Sequence, residues 1–476
     1  MSFEFIENNN PAISHAVRKR IRSHAALGKN VGKKIIRPSR KNAQSLGFKI
    51  TPSGSCHSKD LRQLDDSNTR EDTKVSSVHR PLGDGLSVLP IPENSKNFTV
   101  RAVNFLSGPR FVPSLNNAMD HASSNHGGAW MELMFEDEAF FHCALALSIS
   151  ILNNLIAEPE DPLQAVRHLS HTFRLINQRL SGSDAVTDAT IAVVLMLTQY
   201  ERHDNQHWRA MVHFQGLERM IKLRGGISRL RETMPILAIK IARADLDYSL
   251  RMGTPTRFGA DILYNQETVL ESLNYPKEYV YEGRLFRLYF FKNLSTTIQS
   301  LLIDIKNVSQ LLNDANCGHS PKIDCDAFHK TTLLLSHRLL SIRPIKGSHN
   351  PRYVEHAIHL GLVAFLVTFM PTLDRLIPEN PVLSQSLRFM IEKFCVSHPE
   401  DEQVRLWLLF IGAASVFKPD DDIWLLPTTV RTMSTMGLGT WEDVNDLLAI
   451  FPWVHSTHSN AAQALWRASS STSQIH

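Results

Sequence analysis

The sequence predicts an all-α body, a large helical array, preceded by a basic, largely disordered N-terminal arm. Three observations predict it. Apolar residues recur at helical spacing from about residue 99 onward, and no stretch of useful length alternates with period two. From Asn8 to Lys59 there are twelve Lys or Arg and no Asp or Glu, although the whole chain of 476 residues carries only +4. The first seven residues carry −2 and residues 60–476 carry −6, so a strongly basic arm precedes a mildly acidic body.

Residues 1–49 form the arm in this reading. A short helix over 12–27 ends at Gly28. Residues 50–98 are rich in Ser, Asp, Asn, Thr and Pro, cannot bury enough apolar surface to offset ordering entropy, and read as a disordered linker. The body spans 99–467, with a frayed Ser-rich tail over 468–476.

Within the body, 139–157 is apolar nearly all round and marks an interior helix. In 162–180, Val166, Leu169, Phe173, Ile176 and Leu180 form one stripe. Asp188 is placed to cap a helix over 188–201. The helix over 205–224 stops at Gly225-Gly226. On it, Phe214, Leu217 and Ile221 share one face while Trp208, Met211 and Val212 share another, the pattern of a helix wedged between neighbours, with Gly216 admitting a close backbone. Further helices are expected near 234–251, 283–314, 324–342, 352–370, 380–396, 401–417 and 440–450, the last with Thr440 as N-cap and Trp441, Val444, Leu448 and Phe451 on one face.

The chain holds five cysteines (Cys56, Cys143, Cys317, Cys325 and Cys395), none at C-x-x-C spacing, which argues against a disulfide framework and for a reducing compartment. "MSFEFIENNN" has no apolar core of a secretory signal, and the longest apolar run, 360–370, is too short to span a bilayer, so no membrane partner is expected.

The stretch "RKRIRSHAALGKNVGKKIIRPSRK" admits three readings. As a phosphate loop it fails: three residues, not four, separate Gly28 and Gly32, Lys34 stands where a hydroxyl is required, and no apolar strand precedes it. As a nuclear import signal it shows two basic clusters, Arg18, Lys19, Arg20 and Arg22, then Lys33, Lys34 and Arg37, at bipartite separation. As a nucleic-acid arm it adds Lys29, Arg40 and Lys41; such cations displace counterions from phosphates and give affinity without sequence choice. Import and DNA contact are compatible, so an import receptor and DNA are the expected partners.

Enzyme signals are weak. His168 and His171 share a helix face, but no third ligand is evident and they read as surface histidines; Glu136, Asp137, Glu138 and His142 read as residues serving a helix N-terminus. There is no nucleophile elbow and no dinucleotide fingerprint, so no metal, cofactor or catalytic residue is expected and the chain reads as a non-enzyme.

The most distinctive run is "HFQGLERMIKLRGGI", holding His213, Gly216, Leu217, Met220, Arg224, Gly225 and Gly226; "ARADL", with Arg243 and Asp245, and "GTPTRF" follow it. Arg243 and Asp245 read either as a buried pair or as two exposed charges. With "EDEAFFHCALALSISILNNL" upstream and "DEQVRLWLLFIGA" downstream, these runs resemble the fungal-specific transcription factor domain, the helical regulatory region that follows a zinc cluster in many fungal regulators. The resemblance covers roughly 100–455, and the N-terminal run also looks like the opening of fungal proteins that carry this domain. It implies a middle-homology-region-like fold and a nuclear transcriptional regulator acting through DNA, protein partners or a homodimer. Typical members read DNA with six cysteines holding two zinc ions; five cysteines cannot build that cluster, so sequence choice would come from the arm or a partner. Two other readings remain: a helical interaction protein without DNA binding, and an enzyme or small-molecule binder with a cavity in the body.

Overall fold

The computed structural model describes residues 113–120, 126–155, 162–259, 273, 284–350, 352–370 and 379–473. The arm and linker expected over 1–98, and with them every import and DNA residue named above, lie outside the described residues. The body is all-α. Its only strands among the described residues are β1 (Met119–Asp120) and β2 (Ile323–Asp324), a two-residue parallel pair.

The helices are α1 (His126–Glu136), α2 (Glu138–Leu155), α3 (Pro162–Leu180), α4 (Asp188–His203), α5 (His207–Leu223), α6 (Ile227–Thr233), α7 (Pro235–Met252), α8 (Tyr289–Lys292), α9 (Thr296–Asn316) and α10 (Cys325–Ile342). They continue as α11 (Val354–Val367), α12 (Pro381–Lys393), α13 (Asp401–Ser415), α14 (Asp422–Met436), α15 (Trp441–Leu448) and α16 (His455–Ser473).

Two apolar cores organise them. The first gathers residues of α1–α7; the second gathers α8–α16. Helix α7 is the wall between them: Leu237, Ile241 and Tyr248 face the first core, Leu246 and Leu250 the second. At the centre of the second, α11 is buried from Ala357 to Val367. A Cβ on Gly361 would meet the Trp407 ring at 2.3 Å, so only glycine lets α11 and α13 come this close. Among the described residues no helix is long and apolar enough to cross a membrane.

Several local expectations need correction. On α3 the buried side is Ala165, Thr172 and Ile176, while Val166 and Leu180 are exposed, so the core face is turned from the predicted stripe. Helix α5 is not wedged: Phe214, Leu217 and Ile221 are buried, but Trp208 is 67% exposed and Val212 faces solvent. Thr187, not Asp188, caps α4, accepting from Thr190 N at 3.3 Å. The single helix expected over 283–314 is a 3-10 turn (Arg284–Arg287), α8 and α9, because Ser295 caps a new start. The tail does not fray after Arg467: α16 runs to Ser473 and buries Ser469, tertiary packing overriding the low helix propensity of serine.

Candidate functional site

The three runs of the distinctive motif meet in space. Helix α5 buries Phe214, whose ring lies 4.7 Å from Tyr248 of α7 and 6.4 Å from Phe258 in the segment after α7. Leu217 and Met220 are buried beside it. Asp245, 1% exposed, joins "ARADL" to "GTPTRF": both its oxygens accept from Arg257 N at 2.9 Å, and Oδ2 also accepts from Phe258 N at 2.9 Å. Burial pushes its carboxyl up to about 6, against the amides, which hold it down. The Arg257 side chain returns to α5, pairing with Glu218 at 2.6 Å and lying 5.7 Å from the Phe214 ring centre.

Arg243 does not pair with Asp245. The i,i+4 spacing gives it Asp247, at 3.0 Å, and Arg202 holds the other oxygen of Asp247 at 2.8 Å. Arg243 also donates to the Met370 carbonyl at 2.9 Å, tying α7 to the end of α11. The α5 terminus is a Schellman turn: Gly226 N donates to Ile221 O and Gly225 N to Lys222 O, with φ of 94° and 105° respectively. Arg224 leaves its own helix and holds α4, through Asp188 at 2.7 Å and the Val186 carbonyl at 2.9 Å.

Two motif residues do other things than expected. His213 is half-buried and stacks 6.2 Å from Phe173, its pKa lowered by burial and then by Arg209. Gly216 is exposed, and among the described residues a Cβ there would meet nothing within 4 Å, so the close backbone expected there is not found among them. Sequence reading missed Asp247, Glu218 and Arg257. The 243–247 spacing was a usable signal for Asp247, whereas the Glu218–Arg257 pair spans 39 residues and had none. Chemically, the cluster is an architectural joint: the Asp245 oxygens are filled by amides and leave no free base.

Two cavities bear on the small-molecule reading. One, of about 390 Å³, is lined by Tyr289, Phe290, Tyr353, Glu355, His356 and Asp401 among others. Its carboxylates are engaged: Glu355 accepts from Ser295 N at 2.6 Å and Asp401 from Ser397 N at 2.8 Å. The other, of about 550 Å³, includes Asn380, Arg388, Ser415 and Asp421. Asp421 accepts from Lys418 N at 2.9 Å and from the Trp424 indole at 3.0 Å. In both cavities these carboxylates are taken up by backbone amides and, for Asp421, an indole N–H.

His168 and His171 do have further potential ligands. Glu138 and His142 of α2 stand opposite them, which corrects the reading of isolated surface histidines.

The fold is an array of helices, and the motif residues form a joint within it. The model of the fungal specific transcription factor domain matches residues 110–448, and the chain belongs to that family. Membership places it among fungal transcriptional regulators. Comparison with curated proteins and with solved structures gave no match.

Proposed function

We propose that the chain is a nuclear regulator of transcription in a fungus, with the work divided along the sequence. Residues 1–49 engage an import receptor and contact DNA phosphates, 50–98 link, and the helical body binds partners and regulates. The observation that carries this is the family match over 110–448. The arm's charge supports the rest: eleven Lys or Arg between Arg18 and Lys49 suit counterion release on a phosphate backbone.

The cysteine count favours a second arrangement. These 476 residues hold five cysteines, one short of the family's six-cysteine cluster, and in this arrangement a protein partner of the helical body, or a second copy of the chain, supplies the choice of promoter.

The test maps chromatin occupancy of the tagged protein against a variant neutralised at Arg18, Lys19, Arg20, Arg22, Lys33, Lys34, Arg37, Arg40 and Lys41, with a foreign import signal fused to both. Discrete promoter peaks that vanish in the variant are the expected result and make the arm a DNA contact. Peaks that survive assign recruitment to the body through a partner. No peaks in either overturn the regulator reading.

A further inference from the structure

Helices α2 and α3 pack as an antiparallel hairpin, with Thr172 Oγ1 donating to Ala139 O and Arg179 paired with Asp137. On one side of the hairpin, i,i+4 spacing on α2 presents Glu138 and His142, and i,i+3 spacing on α3 presents His168 and His171. His171 Nε2 lies 2.7 Å from Glu138 Oε1, and the Nδ1 atoms of His142 and His168 are 2.7 Å apart. The His142 ring centre is 4.9 Å from that of His168 and 4.4 Å from that of His171. Glu138, His142 and His171 each offer a ligand atom within 4.8 Å of the others.

We propose that Glu138, His142 and His171 bind one divalent transition-metal ion, with His168 beside them against His142 Nδ1, and that the ion clasps α2 to α3. Imidazole nitrogens with one carboxylate are a donor set suited to zinc. The side chain of Glu138 is 53% exposed and gives an ion its entry. One neighbour opposes the ion: the Arg174 guanidinium donates to His171 Nδ1 at 3.2 Å and fixes the proton on Nε2. Metal at Nε2 requires the proton to move to Nδ1 and Arg174, an exposed residue, to turn away.

The experiment titrates zinc ion into the chelator-treated full chain by calorimetry, repeats it with cobalt for its visible spectrum, and follows Tm. Wild type is expected to bind one equivalent, with d–d bands lacking thiolate charge transfer and with a raised Tm. Glu138→Gln is expected to weaken binding at least tenfold, the double variant His142→Phe/His171→Gln to abolish it, and Arg174→Ala to tighten it. Circular dichroism confirms that each variant folds; Glu138→Gln and Arg174→Ala change only exposed side chains and keep the test decisive should the double variant not fold. No zinc binding by wild type, binding unchanged in Glu138→Gln, or thiolate bands from cobalt would each overturn the site.

Discussion

Asp245 in the first core and Lys306 in the second are buried charges of opposite sign that do the same work. Asp245 accepts from the amides of Arg257 and Phe258. Lys306, 4% exposed, donates to the carbonyls of Ala449 and Phe451 at 2.6 and 3.0 Å. Each holds an irregular segment whose buried backbone needs partners. The difference lies in which half of the peptide is left open. The turn after α7 presents amides and takes an acid. The C-cap of α15 and the segment beyond it present carbonyls and take a base, which also complements the helix dipole. The segment after α15 recruits more of the same: Asn313 donates to the Trp453 carbonyl at 2.8 Å and the Trp407 indole to that of Pro452 at 3.3 Å. The contrast with Arg202–Asp247–Arg243, where charge meets charge, is plain. The Arg202–Asp247 ion pair joins two helices, while Asp245 and Lys306 reach backbone groups of the segments that follow helices.

Removing each charge breaks the comparison unequally. Asp245→Ala leaves the buried amide of Phe258 and the part-buried amide of Arg257 without an acceptor and is expected to cost about 3 kcal/mol. Lys306→Met also strips two carbonyls, but it removes a desolvated cation and keeps the side-chain volume, so about 1–2 kcal/mol is expected. Urea unfolding at pH 7 reads both. The reverse order would mean that the α15 end, not the motif, is the more dependent on its buried charge.

The same two groups should bend the pH profile in opposite directions. Asp245 is raised from 3.8 to about 6 by burial, so the folded state holds the proton more tightly than the unfolded one. Its contribution to stability therefore falls as pH rises from about 4 to 6. Lys306 is lowered from 10.5 to about 8 by burial, so the unfolded state binds the extra proton and stability rises with pH between those values. Thermal unfolding across pH should show Asp245→Asn flattening the acidic window alone and Lys306→Met the alkaline one alone. A variant that flattens neither window assigns the slope to other groups.

What the sequence made legible follows from what periodicity can carry. The interior helices α2 and α11 and the Thr440 cap of α15 announced themselves through apolar runs and a hydroxyl ahead of an acidic first turn. Helix α14 was missed because Pro427 reads as a breaker, although it stands in the second turn, where one carbonyl loses its donor. Which side of α3 faces the core was misread because Thr172 and Ala165 are small, and smallness, not apolarity, fits the α2 contact. In the joint, the glycine stop was visible, but the Asp245–Arg257 link was not: a carboxylate that serves amides leaves no charge partner to find.

The glycines of the motif sharpen the comparison at its smallest scale, because they sit in opposite situations. Gly226 has φ of 94° and ψ of 172°, a region reserved for glycine, so Gly226→Ala is expected to cost about 1–3 kcal/mol. Gly216 lies in an exposed helix interior with open space around it, so Gly216→Ala should stabilise by about 0.5–1 kcal/mol. Denaturant midpoints separate the two, and transcription of a reporter then decides what Gly216 is for. A Gly216→Ala protein that is more stable and still active makes the glycine incidental to the fold and to its use. One that is more stable yet silent shows that the bare α5 surface beside Trp208 and Val212 must meet something that a methyl group obstructs.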